Sequence, residues 1–178
     1  MGKRTPGTMD KTYPRDNENI NIGHENMANT LVQLNVHIVF RVKNSSVRIS
    51  TCDLPGLFEF MGGIIRNNHG IPMQIGGMPD HIHILCTLPK TMTLSNLVRM
   101  IKVGSHKWLK NNNNNRYLHF SWQDGYGAFS VSSSGLNAIT EYIKNQKAHH
   151  RDISYIDEYK LFLGNAGIEY DERYAIED

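Results

Sequence analysis

The chain has 178 residues, 39% hydrophobic and 20% charged, with 15 Gly and 6 Pro, a composition that fits one ordinary globular domain and excludes collagen-like, mucin-like and disulfide-framework classes. No run approaches the roughly 18 apolar residues that cross a bilayer, and the opening MGKRTPGTMDKTYPRD lacks the apolar core of a secretion signal, so no membrane partner and a cytoplasmic location are expected. The net charge of +2 hides a segregation: residues 30–151 hold 13 basic residues against five acidic, while 152–178 hold two against eight. A basic body suits a polyanion, because neutralising phosphates releases their counterions. Cys52 and Cys86 form no CxxC pair and are expected to be reduced and structural.

Residues 1–28 are polar and without apolar periodicity, too little to repay the entropy of ordering, and read as a disordered or appended leader to a single domain over 29–178 with an acidic tail. From Leu31 the chain alternates: Leu34, Val36, Ile38 and Phe40 interleave with Asn35, His37, Val39 and Arg41, the period of a strand. Ser50 or Thr51 caps a predicted helix carrying Leu54, Leu57, Phe58, Met61, Ile64 and Ile65, with Pro55 in its first turn and Gly70 beyond its end. Ile71–Ile75 and Asp80–Leu88 read as a hairpin turning at Gly76-Gly77. Thr93 or Ser95 caps a second helix bearing Leu97, Val98, Ile101, Trp108 and Leu109, which is expected to dissolve into a loop at asparagines 111–115. Gly125–Ser132 has strand character, a helix follows over Leu136–His150, and a last helix lies near Ile153–Leu163. The order β-α-β-β-α-β with extra C-terminal helices is that of an α+β ferredoxin-like sandwich, one antiparallel sheet with two helices on one face and the other face open.

Within MPDHIHILCTL, His81 and His83 are two apart on a strand and project from one sheet face, with Ile82, Ile84 and Cys86 on the other. Two such imidazoles can share a metal ion, but His-x-His alone is more often a structural pair. In ITEYIKNQKAHH, Tyr142, Gln146 and His149 follow one helical stripe beside Ile139 and Ile143, so from periodicity alone Tyr142 reads as an interface or core tyrosine. His37 has the parity to lie near the histidine pair, and Asp80 could accept an imidazole proton. Arg41, Lys102, Lys107, Lys110 and Arg116 are candidate contacts to a nucleic-acid backbone. Trp122, Tyr126 and Phe129 suit either base stacking or the core.

The blocks GMPDHIHIL, WQDGYGAFSVS and EYIKNQKAHH, in this order and spacing, resemble the single-tyrosine HUH transposases of bacterial insertion sequences. With LVQLNVHIVFRVK at the start and GIEYDERY at the end, the resemblance spans about residues 29–176. It implies a ferredoxin-like enzyme that cuts and rejoins single-stranded DNA through a covalent 5′-phosphotyrosine. It places the nucleophile at Tyr142 and metal ligands at His81, His83 and Gln146; His37, Asp80 and His149 are candidates beside them from their positions in the sequence alone. It further implies Mg²⁺ or Mn²⁺ as cofactor, hairpin-bearing DNA ends as substrate, and a homodimer with shared active sites. No nucleotide cofactor is expected, since the chain has no GxxxxGK[ST] phosphate loop. A replication nickase of the same chemistry, a domesticated binder of structured DNA, and a small metal hydrolase that uses only the two histidines are the competing readings.

Overall fold

The computed structural model describes residues 31–149 and 154–169, with the side chains of Lys147 and His149 outside the described set. The expected leader 1–28, His150 and the final acidic residues also lie outside the described residues.

Four strands, β1 (Asn35–Arg41), β2 (Pro72–Met78), β3 (His81–Thr87) and β4 (Gly127–Ser130), form one antiparallel sheet in the order β2-β3-β1-β4. With α1 (Leu54–Asn67) crossing between β1 and β2 and α2 (Leu94–Asn112) between β3 and β4, this is the expected ferredoxin-like sandwich. Alternation sorts the strands. Ile38 and Phe40 of β1, and Ile82, Ile84 and Cys86 of β3, turn to one face and join Leu57, Met61 and Ile65 of α1 and Leu97 and Ile101 of α2 in the main core. Each such side chain removed from water contributes roughly 1.5–3 kcal/mol before entropy is counted.

The second sheet face is covered, contrary to the open face expected from the element order. Helices α4 (Leu136–Lys144) and α5 (Gln146–His149) pack on β2, and α6 (Tyr155–Asn165) lays Phe162 against His37 and Phe129. Every residue of β1 is buried as a result. A central strand wrapped on both sides cannot show a purely one-sided hydrophobic pattern, and two of the polar residues on its second face, His37 and Arg41, are enclosed by the extra helices.

Several local expectations shift for physical reasons. The hairpin turns at Pro79-Asp80, and Gly76 and Gly77 lie inside β2. A Cβ on Gly77, at φ +151°, would overlap the His81 carbonyl oxygen, and one on Gly76 would meet the Ile143 backbone oxygen at 2.8 Å; close approach, not a turn, demands these glycines. The N-cap of α1 is Asp53, and its side chain does not cap. Its carboxylate is taken by the Tyr117 hydroxyl at 2.5 Å and by Asn112 at 2.9 Å. The asparagine run is not a loop: α2 continues through Asn112, Asn113 interrupts, and its side chain caps α3 (Asn114–Tyr117) by accepting from the Arg116 amide. Thr93 caps α2 as expected.

Cys52 is exposed and Cys86 buried in the core, where burial pushes its thiol up to about 12. Iodoacetamide at pH 8 is therefore expected to alkylate Cys52 in the native protein and Cys86 only after unfolding, as read by peptide mass spectrometry. Native labelling of Cys86 at a comparable rate would contradict this packing.

Candidate active site on the second sheet face

Parity brings the histidines together. Val39 is opposite His83 and Arg41 opposite His81 across the β1–β3 ladder, so His37, two residues before Val39, reaches His83 diagonally. The His37 Nε2 lies 3.0 Å from His83 Nδ1, with the rings stacked at 5.2 Å. Burial, then the neighbouring His83, lowers His37 to about 3, so it is neutral at pH 7. Asp80 Oδ1 lies 2.8 Å from His81 Nδ1. Desolvation works against the Asp80 anion, but the His81 hydrogen bond and charge and Arg48 outweigh it, and its carboxyl stays below the usual range. An Asp80 carboxylate takes the Nδ1 hydrogen of His81, and His37 can take that of His83 while carrying its own on Nδ1. Both metal-type histidines then present Nε2 lone pairs into the same space.

Two further side chains enter that space. Gln146, at the start of α5 and 2% exposed, places Oε1 3.2 Å from His81 Nε2. Its amide nitrogen donates to Glu158 Oε1 at 2.9 Å. The Glu158 Oε2 lies 3.4 Å from His83 Nε2 and 3.8 Å from His81 Nε2. Burial, opposed by His81, raises the Glu158 carboxyl to about 7. Glu158 escaped the sequence analysis because it sits in the acidic C-terminal stretch. Its available signal was position: it shares a helical stripe with Tyr155 and Phe162, where an acid is out of place.

The arrangement tests whether a divalent cation fits. With Nδ1–H pointing at Asp80, the His81 Nε2 lone pair faces the Gln146 amide oxygen, acceptor to acceptor, since the amide nitrogen is committed to Glu158. A second proton on His81 or a cation among these atoms resolves the clash. His81, His83 and Glu158 offer ligand atoms all within 4.8 Å of one another, so the donor set fits a divalent ion.

Tyr142 joins from α4. Its ring stands edge-on to His83 at 5.8 Å and to His37 at 6.4 Å, and Phe162 braces it at 5.4 Å. The glycine at 76 makes this approach possible. Gly76→Ala is expected to push Ile143, and with it Tyr142, away from the sheet and to lower stability by about 1–3 kcal/mol, as read by denaturant unfolding. Unchanged stability would show that α4 does not need this close contact.

The remaining sequence candidates are placed elsewhere. Arg41 is buried beside the site, donating to Gln123 at 2.7 Å with its guanidinium 5.8 Å from the Tyr155 ring. Lys102 holds the loop carbonyls of Gln123 and Gly125. Lys107 and Arg116 are exposed and Lys110 half-buried on the helical layer across the sheet. Arg99, Lys102 and Lys107 line a groove of about 540 Å³ with Trp122 and Tyr126, on α2 and away from the histidines. Trp122 belongs to the core and donates to Ser105, Phe129 stacks on Phe162, and Tyr126 is 38% exposed. The side chain of His149 lies outside the described residues.

Residues 30–146, well over half of the chain, match the family model described as IS200-like transposase. The chain belongs to the IS200-like transposase family. Two solved transposase-type structures share its fold. A candidate transposase from Deinococcus radiodurans R1 is 19% identical, with a TM-score of 0.54 over 69% of this chain and 98% of that one. A REP-associated tyrosine transposase, solved bound to a REP hairpin, is 15% identical, with a TM-score of 0.51 over 71% of this chain and 74% of that one. No curated protein sequence gives a significant match. The family match ends at Gln146, so α6 and Glu158 lie beyond it. No described helix of this transposase is long and apolar enough to cross a membrane.

Proposed function

We propose that this transposase cleaves and rejoins single-stranded DNA through a covalent bond to Tyr142. The observation that carries the reading is the convergence of Tyr142 with His81, His83 and Gln146 on one buried sheet face. His81, His83 and Gln146 would hold a divalent ion, Mg²⁺ or Mn²⁺. Such an ion, when bound, supplies charge stabilisation at the scissile phosphate and the departing oxygen.

The protein residues carry the other steps. Tyr142 Oη forms the bond to phosphorus as the bond to the 3′ oxygen breaks. That oxygen leaves with the electron pair and takes up a proton, and the phenol gives one up, so protons and charge balance. The phosphotyrosine retains the ester, and attack by another 3′-hydroxyl reverses the step without ATP. His37 and Asp80 keep the hydrogens of His83 and His81 on Nδ1 and so hold both Nε2 atoms ready for the cation. The Phe162 ring stands edge-on to Tyr142 and braces it beside the histidines; the buried hydroxyl has to be uncovered for a phosphate to reach it.

The substrate is single-stranded DNA at element ends that fold into hairpins, a reading supported by the likeness to the hairpin-bound REP-associated enzyme. Lys107 and Arg116, the exposed members of the basic set, are its proposed backbone contacts. Tyr142 lies beside His83 of its own chain, and since one tyrosine makes one cut, a homodimer serves two ends.

The test is incubation with labelled single strands from the ends of its own locus, with Mn²⁺ or with chelator. A metal-dependent adduct that survives denaturant is expected. Tight DNA binding without any adduct under either condition would replace this reading with a non-catalytic binder.

A further inference from the structure

We propose that Glu158 is a ligand of the same cation and that α6, a helix outside the stretch that matches the family, closes the metal site. The inference rests on the metal reading above and extends it to a residue that neither the family match nor the sequence motifs assign.

Distances make the first argument. Donor atoms about 2.1 Å from a shared ion lie roughly 3.0–3.5 Å apart. The donors here are spaced at 3.2 Å (His81 to Gln146), 3.4 Å (His83 to Glu158) and 3.8 Å (His81 to Glu158). Small side-chain adjustments bring all four onto one ion. Gln146 then has two tasks: its oxygen faces the ion, and its nitrogen steers Glu158 by holding Oε1 so that Oε2 points at the histidines.

Placement makes the second. Acidic residues in a first helical turn usually serve the helix dipole and stay in water. Asp157 does this, exposed and held by the capping Ser154 at 2.7 Å. Glu158, its neighbour, is 2% exposed and turned inward, where a carboxylate needs strong compensation. Four donors that include one anion bind a divalent ion more tightly than two imidazoles and an amide, and the hard oxygens favour Mg²⁺ and Mn²⁺.

A consequence follows for the nucleophile. The helix that carries Glu158 also carries Phe162, whose ring braces both Tyr142 and His37. Cation binding through Glu158 therefore draws α6 onto the sheet and firms the position of Tyr142.

Mn²⁺ titration of the full chain by calorimetry, paired with hydrogen exchange across 155–165, tests this without recourse to activity. The wild type is expected to bind one Mn²⁺ and to gain protection in α6. His81→Ala is expected to bind none. Glu158→Gln keeps the shape and replaces the carboxylate by a neutral amide, and is expected to weaken Mn²⁺ binding at least about a hundredfold, beyond the usual cost of losing a residue behind a ligand, with no protection gained in α6. Glu158→His, which restores a donor, is expected to recover binding with a preference shifted towards Zn²⁺; this arm decides the question if the Gln variant does not fold. Undiminished Mn²⁺ binding in folded Glu158→Gln, with His81→Ala inactive in binding, would overturn the proposal and leave Glu158 as a buried partner of the histidines only. A wild type that binds no Mn²⁺ would overturn the metal reading itself, and this proposal with it.

Discussion

Tyr142→Phe is expected to fold, bind single-stranded DNA as tightly as the wild type, and form no adduct at all. The ring is retained, so its edge contacts with Phe162 and His83 survive, and the loss of one hydroxyl should change stability by no more than about 1.5 kcal/mol. Cleavage responds on a different scale, because the phosphorus has no other group to bond to and the reaction loses its covalent route rather than a fraction of its rate. Denaturing gel analysis of labelled strands reads this directly. Tyr155 supplies the internal control. Its ring lies 4.9 Å from His81, closer to that imidazole than Tyr142 is to His83, but burial raises its phenol well above the usual tyrosine range. Tyr155→Phe should keep the adduct. An adduct that persists in Tyr142→Phe and vanishes in Tyr155→Phe would reassign the nucleophile to α6.

Replacing either histidine is the second large effect. A cation contributes several kcal/mol to a phosphoryl transition state, and each 1.36 kcal/mol is a factor of ten, so His81→Ala and His83→Ala should each lower metal-dependent cleavage by about a thousandfold or more. His37→Ala and Asp80→Asn act one step away, removing the groups that settle which nitrogen carries the hydrogen, and should cost roughly ten- to a hundredfold, chiefly by weakening the metal. Raising Mn²⁺ should therefore restore much of the rate in His37→Ala and little in His83→Ala. Single-turnover cleavage against Mn²⁺ concentration separates the two. Equal rescue of both would mean that His83 orients rather than ligates. The His37 and His83 changes share one hydrogen bond, so their effects should not add.

Much of the architecture could be read before any coordinates. Alternation in LVQLNVHIVF and DHIHILCTL marks β1 and β3 and puts His37, His81 and His83 on the face opposite Ile82 and Ile84, and helical spacing marks α1 and α2. These signals are local: one strand period and one helical period within a dozen residues determine which way a side chain turns. The reading went astray where a residue answers to a distant partner. Gly76-Gly77 has the composition of a turn, but α4 and the His81 carbonyl approach so closely that these glycines belong inside a strand. Asn111–Asn115 looks like a loop, yet Asn112 and Asn113 find acceptors and donors that let helices α2 and α3 run almost through it.

Short-range periodicity is thus enough to specify the sandwich, its helical core face and the pairing of two histidines on a strand. Long-range packing alone covers the second face, brings Tyr142 and Gln146 to those histidines, and turns Glu158 inward to join them. The reason is physical: a carboxylate in a helix's first turn reads as a solvated charge until packing of Phe162 and Leu163 rolls that helix onto the sheet and takes the carboxylate out of water.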